Sequence, residues 1–245
     1  MPFPFFPDFP RLQGNTQDAP IRSPLGQGGW YSADGTVVPD SGALWKTLDL
    51  VGTISAGVGP AGVFFDQLSA ALLNSDAGIQ VGSIALGRPI HRRNWNPAMV
   101  HKFALTNPGL NVRLFVGYAS QDSSVILAAN DPVAEMAGIQ FDTSVGDVNF
   151  MAVRRNGVGP IQRVDTGIAR DATAKIVEFA FDDVGPKTFM VKLYDDQGAV
   201  LYREVFTDFL PAGATDLVVI ARARTLNGTA KTYRSFYGYG VSRKR

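Results

Sequence analysis

The 245-residue chain is predicted to be all-β: an antiparallel jelly-roll β-sandwich set behind an extended N-terminal arm. Three observations predict it. Apolar residues alternate with period two from Leu44 onward, turn-forming dipeptides punctuate that pattern at short spacing, and no alternating helices part the strands as a parallel α/β fold requires. Many short strands with such turns build a sandwich or a barrel.

Residues 1–29, MPFPFFPDFPRLQGNTQDAPIRSPLGQGG, form the arm. Pro2, Pro4, Pro7, Pro10, Pro20 and Pro24 remove backbone donors and fix φ near the polyproline value, which excludes helix and central strand. Phe3, Phe5, Phe6 and Phe9 lie among these prolines. Burying one phenylalanine is worth roughly 1.5–3 kcal/mol, and disordered tails are depleted in aromatics. The arm is therefore expected to dock in an apolar groove, on another chain. Residues 30–43 connect it to the sandwich, with a turn signal at Ala33-Asp34-Gly35-Thr36. The sandwich itself is expected over 44–245.

Within it, Val112, Leu114, Val116 and Tyr118 alternate with Arg113, Phe115 and Gly117. Val177, Phe179 and Phe181 share one strand face, as do Phe189, Val191 and Leu193. Each alternation marks a strand with one side on a core. Tyr194-Asp195-Asp196-Gln197-Gly198-Ala199 fits a turn with a left-handed glycine, joining 188–194 and 199–206 as a hairpin. Asn227-Gly228 predicts a hairpin between 216–225 and 230–241, and Asn156-Gly157 a turn after 148–154. Segments 44–54, 79–87, 99–106, 111–119, 136–143 and 174–183 bring the count to eleven strands. The stretch Gly62 to Leu73 has spacing that fits a short helix slightly better than a strand and loop, with Asn74 or Gly78 as its stop.

Composition removes several function classes. The balance of 23 Lys+Arg against 22 Asp+Glu, a net charge of +1, leaves no global field to attract nucleic acid or an anionic membrane. Arg92-Arg93 and the tail Arg243-Lys244-Arg245 are the basic clusters, read as solvated charge. The chain has no cysteine, which removes disulfides, thiolate zinc sites and cysteine nucleophiles together. No cationic-then-apolar leader opens the sequence, and no run approaches the ~18 apolar residues of a membrane span. A soluble protein made in the cytoplasm, with no membrane insertion, is expected.

The second half has a recognisable cadence. Leu110 to Tyr118 is followed by Gly138-Ile139-Gln140-Phe141-Asp142, Gly146-Asp147-Val148-Asn149-Phe150 and Val164-Asp165-Thr166-Gly167. Phe189 to Leu201 and the closing Arg234-Ser235-Phe236-Tyr237-Gly238-Tyr239 complete it. Residues 79–245 resemble the concanavalin-like jelly-roll domains in structural proteins of tailed bacteriophages, found in tail fibres, appendages and head-decorating proteins. That resemblance implies a homo-oligomer, usually a trimer, fixed on a virion beside capsid, portal or tail proteins.

Candidate chemistry is sparse. Gln140-Phe141-Asp142-Thr143 superficially resembles the metal-binding stretch of legume lectins, but Gln140 stands where the first acid is needed and only Asp142 and Asp147 remain nearby. Calcium takes six to eight oxygens, so a strand end with a turn-capping aspartate is the expectation, with no metal and no cofactor. Sandwich glucanases carry an E-x-D-x-E arrangement that is absent here, and the adjacent pairs Asp182-Asp183 and Asp195-Asp196 read as turn residues. His91 and His101 form neither a zinc pair nor a triad, and neither G-x-S-x-G nor a phosphate loop occurs. Trp95, Tyr118, Tyr233, Tyr237 and Tyr239 are the aromatics suited to stacking on a glycan or a neighbouring subunit. Tyr233, Tyr237 and Tyr239 are expected on one strand face, where core or subunit packing is favoured over sugar contact.

The sequence thus points first to a non-enzymatic structural protein of a tailed-phage virion, held by its arm to capsid or tail. The alternative is a carbohydrate-binding module recognising a host-surface glycan, as at a fibre tip. A polysaccharide hydrolase comes third.

Overall fold

In the computed structural model the apolar alternation closes two antiparallel sheets on each other. The described residues are 45–46, 53–59, 62–82, 84, 91–106, 111–183 and 185–241, with side chains from Asp66 to Phe236. One sheet has eight strands. Its order is β1 (Trp45–Lys46), β4 (Asp76–Val81), β14 (Asp216–Thr225), β7 (Val112–Ala119), β8 (Glu135–Asp142), β9 (Asn149–Asn156) and β10 (Gln162–Ala169), with β5 (His91–Arg92) paired to the start of β14. The other has seven: β13 (Val200–Phe206), β12 (Thr188–Tyr194), β11 (Lys175–Asp182), β6 (Ala98–Leu105), β15 (Thr232–Val241), β3 (Gly62–Leu68) and β2 (Thr53–Gly59). The jelly-roll sandwich expected from the alternation is the fold.

The core between the sheets is built from the faces that the period-two pattern marks. Val112, Leu114, Val116 and Tyr118 of β7 meet Val177, Phe179 and Phe181 of β11 and Phe189, Val191 and Leu193 of β12. Aromatic rings pack in contact there: Phe181 and Phe189 have centroids 4.6 Å apart, and Phe103 stacks on Tyr233 at 5.6 Å. Among the described residues, no helix is long and apolar enough to cross a membrane.

The outer face of the eight-stranded sheet is also dry. The connection from β7 to β8 folds over it, with a single-turn helix α1 (Ser123–Ile126) that puts Ile126 and Leu127 on Phe115, Met136, Val153, Val218 and Ile220. Buried polar side chains of the sheet fasten this roof. Gln80 donates to Asp122 at 3.0 Å and accepts from the Ser123 amide at 2.8 Å. Arg113 reaches the Leu127 carbonyl at 2.8 Å, Arg155 the Pro132 carbonyl at 2.6 Å, and Arg222 the Ser123 hydroxyl at 3.0 Å. Each satisfies a backbone or side-chain group that burial would otherwise leave at a cost.

The structure corrects several local readings. The stretch read as a helix from Gly62 is strand β3, paired on one side with β2 and on the other with β15. Two ladders override a weak helical spacing, and Asn74 turns the chain at φ 62° after it. The 44–54 segment divides into β1 and β2, and the strand placed at 79–87 is β4, beginning at Asp76. Residues 85–90 lie outside the described set. Strand β10 was not expected: it is a sheet edge carrying Arg163 and Asp165, so its apolar alternation is thin. The Asp195–Ala199 hairpin forms as read, with Gly198 at φ 91°. Asn227-Gly228 does make a tight turn, yet β14 and β15 lie in opposite sheets. Strand β14 is already paired with β4 and β7 on its two sides, so it has no edge to offer β15.

Candidate functional site

The described loops bring one sequence-singled aromatic, Trp95, into a polar and partly exposed setting. Strand β5 runs into a one-turn 3-10 helix, Arg93–Trp95, which Asn96 ends in the left-handed conformation at φ 48°. Pro97 then starts the approach to β6. Two further connections meet this turn: the residues after β11, and the segment between β13 and β14. The Asn94 amide donates to the Gly213 carbonyl at 3.0 Å, and Asn96 Oδ1 accepts from the Asp183 amide at 2.6 Å.

Ion pairs fix the rest. Arg93 is almost fully buried and donates to Asp183 through Nη1. Arg92 pairs with Asp216 at 2.5 Å and lays its guanidinium 5.4 Å from the centroid of the Trp95 ring, a cation–π contact. The result is a half-buried indole beside the exposed Asn94, on a turn held by the Arg93–Asp183 and Arg92–Asp216 ion pairs. Sequence reading singled out Trp95 alone. Arg93 and Asp183 were read separately as a solvated basic pair and a solubilising turn, and only the topology, across 90 positions, joins them.

The other singled-out residues fall elsewhere. Tyr118 and Tyr233 are wholly buried in the core. In β15, Tyr233 pairs with Leu105 and Tyr237 with Lys102 across a register shift. The side chains of Tyr237 and Tyr239, the arm residues Phe3, Phe5, Phe6 and Phe9, and the 243–245 tail lie outside the described residues. His101 sits in the core with Nε2 2.9 Å from the Tyr233 hydroxyl.

The acids are engaged in structural roles. Asp142 takes Arg113 Nε at 2.5 Å and caps the next turn through the Ser144 amide at 2.9 Å. Asp147 accepts the Asp142 amide at 2.8 Å and an Arg163 hydrogen bond; burial pushes its carboxyl up, against the pull of those donors. Asp131 holds Arg155 at 2.6 Å, and Glu135 holds the Thr215 hydroxyl at 2.8 Å. Among the described residues, no group of three or more His, Asp or Glu is gathered as a metal would need.

Close behind the Trp95 turn, His91 is buried edge-on to Tyr118, with ring centroids 5.4 Å apart. Neither ring nitrogen, nor the Tyr118 hydroxyl, has a hydrogen-bond partner. Burial lowers the His91 pKa from 6.5 to about 3. The folded protein therefore keeps the ring neutral where the unfolded chain protonates it. The stability His91 permits is fully present above pH 6.5 and falls as pH drops from there towards 3, by up to ~1.4 kcal/mol per pH unit. His91→Phe is expected to flatten that part of the acid limb, as read by urea midpoints between pH 7 and 4; an unchanged limb would contradict a buried neutral imidazole.

No protein-family model matches the chain, and no curated protein matches it in sequence. Solved structures do match its fold. A protein of unknown function from Shewanella oneidensis MR-1 aligns with TM-score 0.56 and 16% identity, over 80% of this chain and 78% of that one. The carbohydrate recognition domain of Emp47p aligns with TM-score 0.55 and 12% identity, over 88% and 95%. The potassium-bound carbohydrate recognition domain of Emp46p aligns with TM-score 0.51 and 8% identity, over 89% and 97%. At these identities the likeness is one of architecture, and the architecture is the lectin-like, concanavalin-like jelly roll.

Proposed function

We propose that this chain is a non-catalytic carbohydrate-binding module that contacts its glycan at the sandwich end around Trp95. The observation that carries the proposal is the indole itself, half-buried and pinned by Arg92, with Asn94, Asp183 and Asp216 at hand. A sugar ring has an apolar C–H face and a hydroxyl rim, so it is recognised by an aromatic surface with planar polar groups beside it. The fold supports the reading too, since two of its structural neighbours are named as carbohydrate recognition domains. Absence of turnover is proposed because the described acids around the site serve as ion-pair and turn partners.

Screening the protein on a glycan array is expected to find at least one bound structure, and Trp95→Ala to weaken it at least tenfold, about 1.4 kcal/mol. Trp95→Phe should recover part of the loss. Binding untouched by Trp95→Ala, or no glycan bound at all, would overturn the reading.

A second reading keeps the module on a phage particle, as a homo-oligomer anchored by its arm. Its support is the composition of residues 1–29, four phenylalanines among prolines, which suits docking better than solvent.

A further inference from the structure

Among the described residues, the non-glycines with positive φ are Asn74, Asn96, Asn111 and Phe209. Asparagine visits the left-handed region readily, because its short polar side chain bonds to the local backbone. A phenylalanine does not, so Phe209 at φ 52° is the outlier of the set. It is also 41% exposed, and core packing does not offset the strain.

The conformation is imposed from both sides. Asp208 accepts from Arg154 Nε at 2.9 Å and Nη2 at 2.8 Å, and the Arg154 guanidinium lies 4.1 Å from the Phe206 ring centroid. Beyond Phe209, Glu135 accepts from the Ala212 amide at 2.5 Å and the Thr215 hydroxyl at 2.8 Å. Strain that surrounding bonds over-determine in this way gathers at ligand contacts. Here it turns a phenyl ring out to solvent. The same connection then runs to the Trp95 turn, where Gly213 accepts the Asn94 amide at 3.0 Å. Its course can be measured in strands. Arg154 belongs to β9 and Glu135 to β8, while the Trp95 turn follows β5, which pairs with β14. The order β14, β7, β8, β9 sets the anchor of Phe209 three strand spacings from that turn, roughly 14 Å.

Taking Trp95 as the glycan contact proposed above, we propose that Phe209 is a second contact of the same site, which makes the ligand an oligosaccharide chain and not a single sugar. One sugar ring does not reach both aromatics at that spacing. A short chain laid along the connection between β13 and β14 does. Each aromatic offers an apolar surface to the C–H face of one sugar, and the exposed Asn94 and Thr207 stand next to them for its hydroxyls.

Calorimetric titration with the tightest-binding oligosaccharide from an array, shortened stepwise to single sugars, tests this. Wild-type affinity should rise at least tenfold from the single sugar to the chain that reaches Phe209. Phe209→Asn suits the left-handed backbone, so it should unfold at no lower urea concentration than the wild type, yet remove that rise. Phe209→Trp should keep the rise, and Trp95→Ala should weaken binding at every length. Chain affinity unchanged in Phe209→Asn but lost in Trp95→Ala would overturn the proposal and leave the Trp95 reading standing. A lower urea midpoint for Phe209→Asn would overturn it as well, by making the ring a packing residue. So would an altered sedimentation coefficient, which marks a protein contact. A wild type that binds no glycan would sink both readings together.

Discussion

Glu178→Ala is expected to destabilise the fold by about 3–5 kcal/mol, the range for breaking a buried ion pair by removing one member. Lys192 lies opposite in the β11–β12 ladder, with Nζ 3.3 Å from Oε1, and both residues are essentially without exposure. The Tyr194 hydroxyl donates to the other carboxylate oxygen. Glu178→Gln keeps an acceptor for that hydroxyl and loses only the charge, so it should cost clearly less. Urea unfolding of the three proteins measures the order; a Glu178→Ala loss below ~1 kcal/mol would mean the pair is hydrated in solution.

Gly138→Ala should be as damaging, for a steric reason. A Cβ built there lies 2.2 Å from the Val116 carbonyl oxygen and 2.8 Å from the Gly117 Cα. Both are backbone atoms of β7, in the middle of the eight-stranded sheet, and cannot swing aside as a side chain would. Separating two central strands should cost ~3 kcal/mol or more, the upper end for overpacking. Gly146→Ala is the control. Its Cβ meets nothing within 4 Å, and only its φ of 82° resists a side chain, at about 1–2 kcal/mol. Similar midpoints for the two variants would show that β7 and β8 yield.

Much of the fold was legible because burial leaves a period-two imprint. The cores of β7, β11 and β12 follow it residue by residue, and the Asp195–Ala199 hairpin follows from Gly198. Where one face does not alternate cleanly, the imprint fails. Gly62 to Leu68 reads as helix because adjacent apolar residues satisfy either period, and only its two ladders decide. Asn227-Gly228 signals a turn correctly, but the dipeptide carries no information on whether the flanking strands pair. The roof over the eight-stranded sheet was invisible, since Gln80, Arg113, Arg155 and Arg222 look like surface polar residues until topology buries them.

The candidate site shows the same division. Trp95 could be singled out as an aromatic with a polar edge, whereas its setting depends on Asp183 and on Asp216 of β14 arriving from distant parts of the chain. Tyr118 and Tyr233 carried the same chemical signal and proved to be core, because the hydroxyl of a tyrosine does not reveal which strand face it is on.

The measurement that bears most directly on the carbohydrate-binding account is hydrogen–deuterium exchange with and without the best glycan from an array. Added protection should be confined to residues 91–97 and to the segments around Asp183 and Gly213 that bond to that turn. Protection centred on another part of the sandwich, with those segments unchanged, would contradict it.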